Sequence, residues 1–236
     1  MKNPIIVALD LPDPGKAFAL AKMVAPFVGA FKIGSELFTA AGPEMVKQIR
    51  GIGGTVFLDL KFHDIPNTVA KSVANAVRLD VQMLTVHTSG GLDMMAAAEK
   101  SAVATAALLE KTPPLVLGVT VLTSMDRGTL SEIGCPTDVP EQVTRLAALA
   151  VKAGLPGLVC SPLEVRDLRK TLPPKFQLIT PGIRSKSAKL NDQKRTMTPM
   201  EAIQAGASWI VVGRPIYAAE DPIRAVEQIL ASITTP

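Results

Sequence analysis

The chain has 236 residues, 47% of them apolar and 19% charged, so it can bury a sizeable core and a disordered chain is excluded. Its 25 basic and 21 acidic residues leave a formal net charge of +4, a weak field suited to small anionic substrates. One Trp, one Tyr and seven Phe offer few platforms for base stacking, so no nucleic acid is expected as a partner.

The longest run free of charged residues, Thr112 to Met125, contains Pro113 and Pro114. It falls short of the roughly 18 apolar residues that a membrane span needs. The apolar run after Lys2, Ile5 to Leu9, stops at Asp10, too soon for a signal peptide. Cys135 and Cys160 make neither a disulfide framework nor a metal-ligand spacing. No membrane association is expected, and a cytoplasmic location is.

Taken in chain order, short apolar runs alternate with longer segments of helical period. Ile5 to Leu9 is the first strand, followed by Asp13-Pro14, an N-cap acceptor before a first-turn proline. Ala30 to Ile33, Thr55 to Leu60, Met83 to Val86 and Leu115 to Leu122 are the next four. Gly154 sits where a helix C-cap belongs, then comes Gly157 to Cys160 and the capping box Ser161-Pro162-Leu163-Glu164. Gln177 to Thr180 is the seventh strand. Thr198-Pro199-Met200-Glu201 is a second capping box, its helix closed by Gly206. Trp209 to Val212 is the eighth strand, and Asp221-Pro222 opens the last helix.

Near-continuous apolar strands fit parallel pairing covered on both faces. Eight strand-helix units predict an α/β fold, a single (β/α)8 TIM barrel over residues 1–236 as one catalytic domain. The competitor is an open doubly wound sheet, whose early G-x-G-x-x-G turn this sequence lacks.

In such a barrel, chemistry belongs at the C-terminal ends of the strands. There the sequence places Asp10, Lys32 and Asp59-Leu60-Lys61, followed by Phe62-His63-Asp64. Charges at buried strand ends are costly unless paired. Asp59 and Lys61 are two apart, so both side chains are expected to leave one face, toward the barrel mouth. Lys32 from the neighbouring strand should come within pairing distance. Asp64 lies past the strand end, where the next helix starts, and need not face the same cavity. The plain alternative is a structural ion-pair network, although perturbed charges cluster at functional sites more often. Two lysines beside two carboxylates disfavour a metal, and none is expected.

Strand seven ends in Thr180-Pro181-Gly182-Ile183-Arg184, and a basic loop follows with Lys186, Lys189, Gln193, Lys194 and Arg195. Strand eight ends in Gly213-Arg214. Loops after strands seven and eight form the usual phosphate site of this architecture. Gly213 permits close backbone approach, and Arg214 offers a planar fork for phosphate oxygens. A solvated basic loop is the plain alternative for the lysines. His63 is assigned a structural role, turned away from Lys61. His87, at the end of strand four, is a pocket-lining candidate. Met94 and Met95 are expected in the core.

These residues resemble a family. Asp59-Leu60-Lys61-Phe62-His63-Asp64-Ile65-Pro66-Asn67-Thr68 is similar to the signature of the bacterial orotidine 5′-phosphate decarboxylases. Val7 to Asp10, Phe31 to Gly34, Thr85-Val86-His87 and Val119 to Met125 fit as well. So do Pro181 to Arg184, Asp192-Gln193 and Val212 to Ile216. A lone D-x-K-x-x-D would mark only the wider suprafamily; its HDIPNT extension together with Lys32 is more specific. Ser185 departs from the pattern, where a proline is expected.

The resemblance implies cofactor-free decarboxylation of orotidine 5′-monophosphate to uridine 5′-monophosphate in pyrimidine biosynthesis. It implies that Lys61 protonates C6 of the pyrimidine, that Asp59 faces the substrate carboxylate, and that Lys32 and Asp64 complete the charged array. It further implies a homodimer, with Asp64 and Thr68 entering the partner's site. Asp10 would bind the ribose hydroxyls, and Thr123 or Ser124 the pyrimidine edge. Arg184, Gln193, Gly213 and Arg214 would hold the phosphate. Two other readings stay open. One is a metal-dependent sugar-phosphate decarboxylase or lyase of the same suprafamily, which carries an acidic residue where Lys32 stands. The other is a non-catalytic phosphate-ligand sensor, against which an intact Asp59 and Lys61 speak.

Overall fold

Eight short apolar strands close on themselves. In the computed structural model, which describes residues 3–184 and 196–234, these are β1 (Ile5–Ala8), β2 (Ala30–Gly34), β3 (Val56–Phe62), β4 (Met83–His87), β5 (Leu115–Val119), β6 (Gly157–Val159), β7 (Gln177–Thr180) and β8 (Trp209–Val212). They pair in sequence order, all parallel, and β8 returns to β1 with Ile210 beside Ile5. Helices join successive strands, which makes the expected (β/α)8 TIM barrel.

The continuous apolar runs follow from burial on both faces. Ile6, Phe57, Met83, Leu117, Ile179 and Trp209 pack together inside the barrel. Alternate residues such as Ile5, Val7, Phe31, Ile33 and Leu58 belong to the layer between strands and helices. The helix starts are where the caps put them. Asp13 accepts from the Gly15 and Lys16 amides, and both capping boxes close, at Ser161 with Glu164 and at Thr198 with Glu201.

Two strands differ from expectation by more than one residue at an end. β5 stops at Val119, and Val121 and Leu122 leave the ladder to line a cavity above the barrel. Val121 also packs into the core between strands and helices, so the apolar run outlasts the ladder. β3 runs on to Phe62 because it bulges, as described below.

Two charged features lie away from the barrel mouth. At the N-terminal ends of the strands, Asp80 pairs with Arg50 at 2.7 Å and Lys111 at 2.8 Å, tying three connections together. In the helix Gly91–Leu108, Glu99 buries its Oε2 with no hydrogen-bond partner among the described residues. Burial pushes this carboxyl up to about 7 from 4.5. A raised carboxyl favours the folded state only while protonated, so stability is expected to fall as pH climbs between those two values. Glu99→Gln should therefore raise the denaturant midpoint at about pH 8 and leave it nearly unchanged at about pH 4, a contrast that unfolding curves at the two pH values will read.

Candidate active site

The barrel interior changes character one step below its mouth. On β2 the inward Ala30 is followed by Lys32, on β3 Phe57 by Asp59, and on β4 Met83 by Thr85. A polar layer thus caps an apolar plug. Lys32 Nζ donates to Asp10 Oδ1 at 2.7 Å and stands 3.7 Å from Asp59 Oδ2. Lys61 Nζ lies 2.9 Å from both Asp59 oxygens. The result is a row of alternating sign, Asp10, Lys32, Asp59, Lys61.

Asp59 is only 9% exposed, and burial alone would push its carboxyl up. The charges of Lys32 and Lys61, with hydrogen bonds from Lys61 and Thr85, outweigh that and hold it below its ordinary range. Asp59 is therefore an anion at neutral pH, buried between two cations.

Simple alternation does not account for how Lys61 reaches Asp59. Leu58 sits beside Leu84 and Phe62 beside Val86, so β3 uses four steps where β4 uses two. Lys61 lies in this bulge with φ 51, a left-handed conformation uncommon for a residue with a side chain. Its backbone amide donates to Thr85 Oγ1 at 2.8 Å, outside the regular ladder. The two charges meet at a point where the strand is irregular.

Above the row opens a cavity of about 530 Å³, within the range of small-molecule sites. Asp10, Lys32, Asp59 and Lys61 form one side. Thr123 and Ser124, both in the loop after β5, line it together, so the choice between them stays open. Gly182 and Arg184 after β7, and Gly213 and Arg214 after β8, bring a cationic end. A Cβ on Gly213 would stand 3.3 Å from the Tyr217 ring and 3.5 Å from Ala8 Cβ, so the backbone there has little spare room. Among the described residues, no group of three His, Cys, Asp or Glu side chains is placed to hold a metal ion.

The family model for orotidine 5′-phosphate decarboxylase / HUMPS matches residues 3–229. The chain belongs to that family. It is 49% identical over 233 residues to the orotidine 5′-phosphate decarboxylase of Moorella thermoacetica, covering 98% of this chain and 92% of that one. Identity to the enzyme of the same name from Opitutus terrae is 50% over 233 residues, with 99% of each chain covered. The crystal structure of orotidine 5′-phosphate decarboxylase from Lactobacillus acidophilus superposes with a TM-score of 0.86 at 38% identity, covering 99% of this chain and 100% of that one.

Within this family member, other residues singled out from the sequence fall elsewhere. Asp64 and Thr68 are exposed and do not line their own chain's cavity. Asp64 accepts from the Ile65 amide, and Ile65 itself is 66% exposed. Gln193, with Ser185, Lys186, Lys189, Lys194 and Arg195, lies outside the described residues. His87 is not a lining residue; its ring packs 5.4 Å from that of the exposed His63. Burial, then the charges of His63 and Lys61, hold the His87 imidazole below its usual range despite Asp59.

The sequence alone missed three polar residues. Glu36 and Tyr217 line the cavity. Glu36 was findable, since it follows the end of β2 as Arg214 follows β8. The Tyr217 hydroxyl is pushed up by burial, with Arg214 and Arg184 opposing that effect and the carboxylates of Asp10 and Glu36 adding to it. Thr85 is the third, and nothing in its period-two pattern announced a partner on β3.

Proposed function

We propose that this protein decarboxylates orotidine 5′-monophosphate to uridine 5′-monophosphate and carbon dioxide in pyrimidine biosynthesis, without a cofactor. The observation that carries this reading is the Lys61 ammonium held 2.9 Å from both oxygens of an ionised, buried Asp59, in a cavity with a cationic far end. Loss of carbon dioxide from a vinylic carbon leaves an electron pair that the ring π-system does not delocalise well. A fixed ammonium at that carbon stabilises the charge where it forms and can deliver the proton.

In this reading the substrate carboxylate lies against Asp59. The C6–carboxylate bond breaks, carbon dioxide departs, and the pair left on C6 takes a proton from Lys61, which ends neutral and is reprotonated from solvent. Asp10 holds the ribose hydroxyls, Lys32 binds substrate as part of the charged array, and Thr123 or Ser124 meets the pyrimidine edge. Arg184, Arg214, Gly213 and Gln193 bind the phosphate, whose remote binding energy can favour closure and water exclusion. Asp64 and Thr68 complete the site of a second subunit in a homodimer, consistent with their exposure on their own chain. Residues 1–236 act as one catalytic domain. Among the described residues no helix is long and apolar enough to cross a membrane, which fits a cytoplasmic enzyme.

Lys32 puts a cation 3.7 Å from Asp59, where a metal-dependent relative carries an acidic residue, so electrostatics favours the metal-free reaction. Exhaustive chelation is expected to leave turnover of orotidine 5′-monophosphate unchanged. Activity that vanishes with chelator and returns with magnesium would instead move the protein to the metal-dependent sugar-phosphate lyases.

A further inference from the structure

Thr85 is fully buried on β4, directly across from the bulge in β3. A hydroxyl has one proton and two lone pairs. Here the proton goes to Asp59 Oδ1 at 3.0 Å, and a lone pair accepts the backbone N–H of Lys61 at 2.8 Å. One oxygen therefore ties the carboxylate of Asp59 and the main chain of Lys61 together. The Lys61 amide has left the regular ladder, and in this half-buried place it needs an acceptor. Branching at Cβ restricts the χ1 of threonine, so its hydroxyl is held where both partners can use it.

We propose that Thr85 is a positioning residue, whose hydroxyl fixes the left-handed bulge at Lys61 and the orientation of Asp59 together, so that the ammonium meets the reacting carbon. The proposal rests on the decarboxylase reading above. Thr85 does not line the cavity and touches no substrate itself; it acts through the pair. Removing its hydroxyl releases the main chain under Lys61 and takes one donor from Asp59. The pair can still form, but its place relative to bound substrate is no longer set.

The test compares Thr85→Val, which keeps the shape and loses both hydrogen bonds, with Thr85→Ser, which keeps the hydroxyl. Steady-state kinetics on orotidine 5′-monophosphate and the Kd of uridine 5′-monophosphate are measured for each. For Thr85→Val, kcat should fall by about 10- to 100-fold, the effect of misplacing a reacting group by a fraction of an ångström to an ångström. KM and the Kd of the product should move by less than about threefold, because the binding contacts are elsewhere. Thr85→Ser should recover kcat to within about threefold of the unsubstituted protein, since both bonds can re-form. Should Thr85→Val not fold, Thr85→Ala is read against Thr85→Ser in the same assays. Unchanged kcat without the hydroxyl overturns the proposal. So does a loss that serine does not rescue, or one matched by equal loss of product affinity. If the unsubstituted protein does not turn over this substrate at all, the decarboxylase reading itself fails, which is a separate outcome.

Discussion

Lys61→Ala is expected to abolish measurable turnover while leaving a folded protein. The substitution removes the proton donor and also the cation that faces the developing negative charge. General acid catalysis alone contributes roughly 10²- to 10⁴-fold, and electrostatic stabilisation at the same atom adds to it. The fold should survive because the barrel core lies below this layer and the Lys61 side chain is one-third exposed. Asp59 would keep Lys32 at 3.7 Å and the Thr85 hydroxyl at 3.0 Å, so the buried carboxylate is not left alone. Its carboxyl should rise, having lost the charge and hydrogen bonds of Lys61. Binding of uridine 5′-monophosphate separates lost chemistry from lost affinity. A loss of less than about tenfold in kcat would sink the proposed role of Lys61, since even the smaller contribution would be missing.

Activity is expected to return when two inactive variants, Asp64→Ala and Lys61→Ala, are mixed and allowed to exchange subunits. Asp64 is exposed on its own chain and lies outside the cavity that holds Lys61. A two-fold interface is self-complementary, so each subunit would give one Asp64 and receive another. In a mixed dimer one site carries both lesions. The other joins an intact Lys61 to an intact incoming Asp64. Random reassortment of equal amounts makes about half the dimers mixed, so roughly a quarter of all sites should work. If exchange is verified, by mass or by label, and the mixture stays inactive, Asp64 acts within its own chain and the shared site is wrong.

The barrel was legible because its strands are apolar on both faces and its helices carry strong caps. Thr198 with Glu201, and Asp13 before Pro14, mark helix starts by local chemistry that tertiary contacts do not alter. The end of β5 was not legible, because Val121 and Leu122 stay apolar past the ladder, lining the cavity and, at Val121, packing into the core. The charged row was legible as residue types at strand ends, and Arg184, Gly213 and Arg214 for the same reason. Its geometry was not. Alternation brings Asp59 and Lys61 to one face of a regular strand, whereas the molecule joins them through a bulge with no sequence mark of its own. Thr85 depends on register between two strands, which a single strand's pattern does not contain. Tyr217 lies in the short helix Arg214–Tyr217, whose direction the sequence does not give.

The most direct measurement is the product formed by metal-stripped protein from orotidine 5′-monophosphate in deuterium oxide, followed by proton NMR with carbon dioxide captured in parallel. The expected result is uridine 5′-monophosphate and carbon dioxide in equal amounts, with deuterium at C6 and no such product from Lys61→Ala. Substrate recovered unchanged by the unsubstituted, folded protein, or product that appears only after a divalent metal is restored, would contradict the metal-free lysine mechanism.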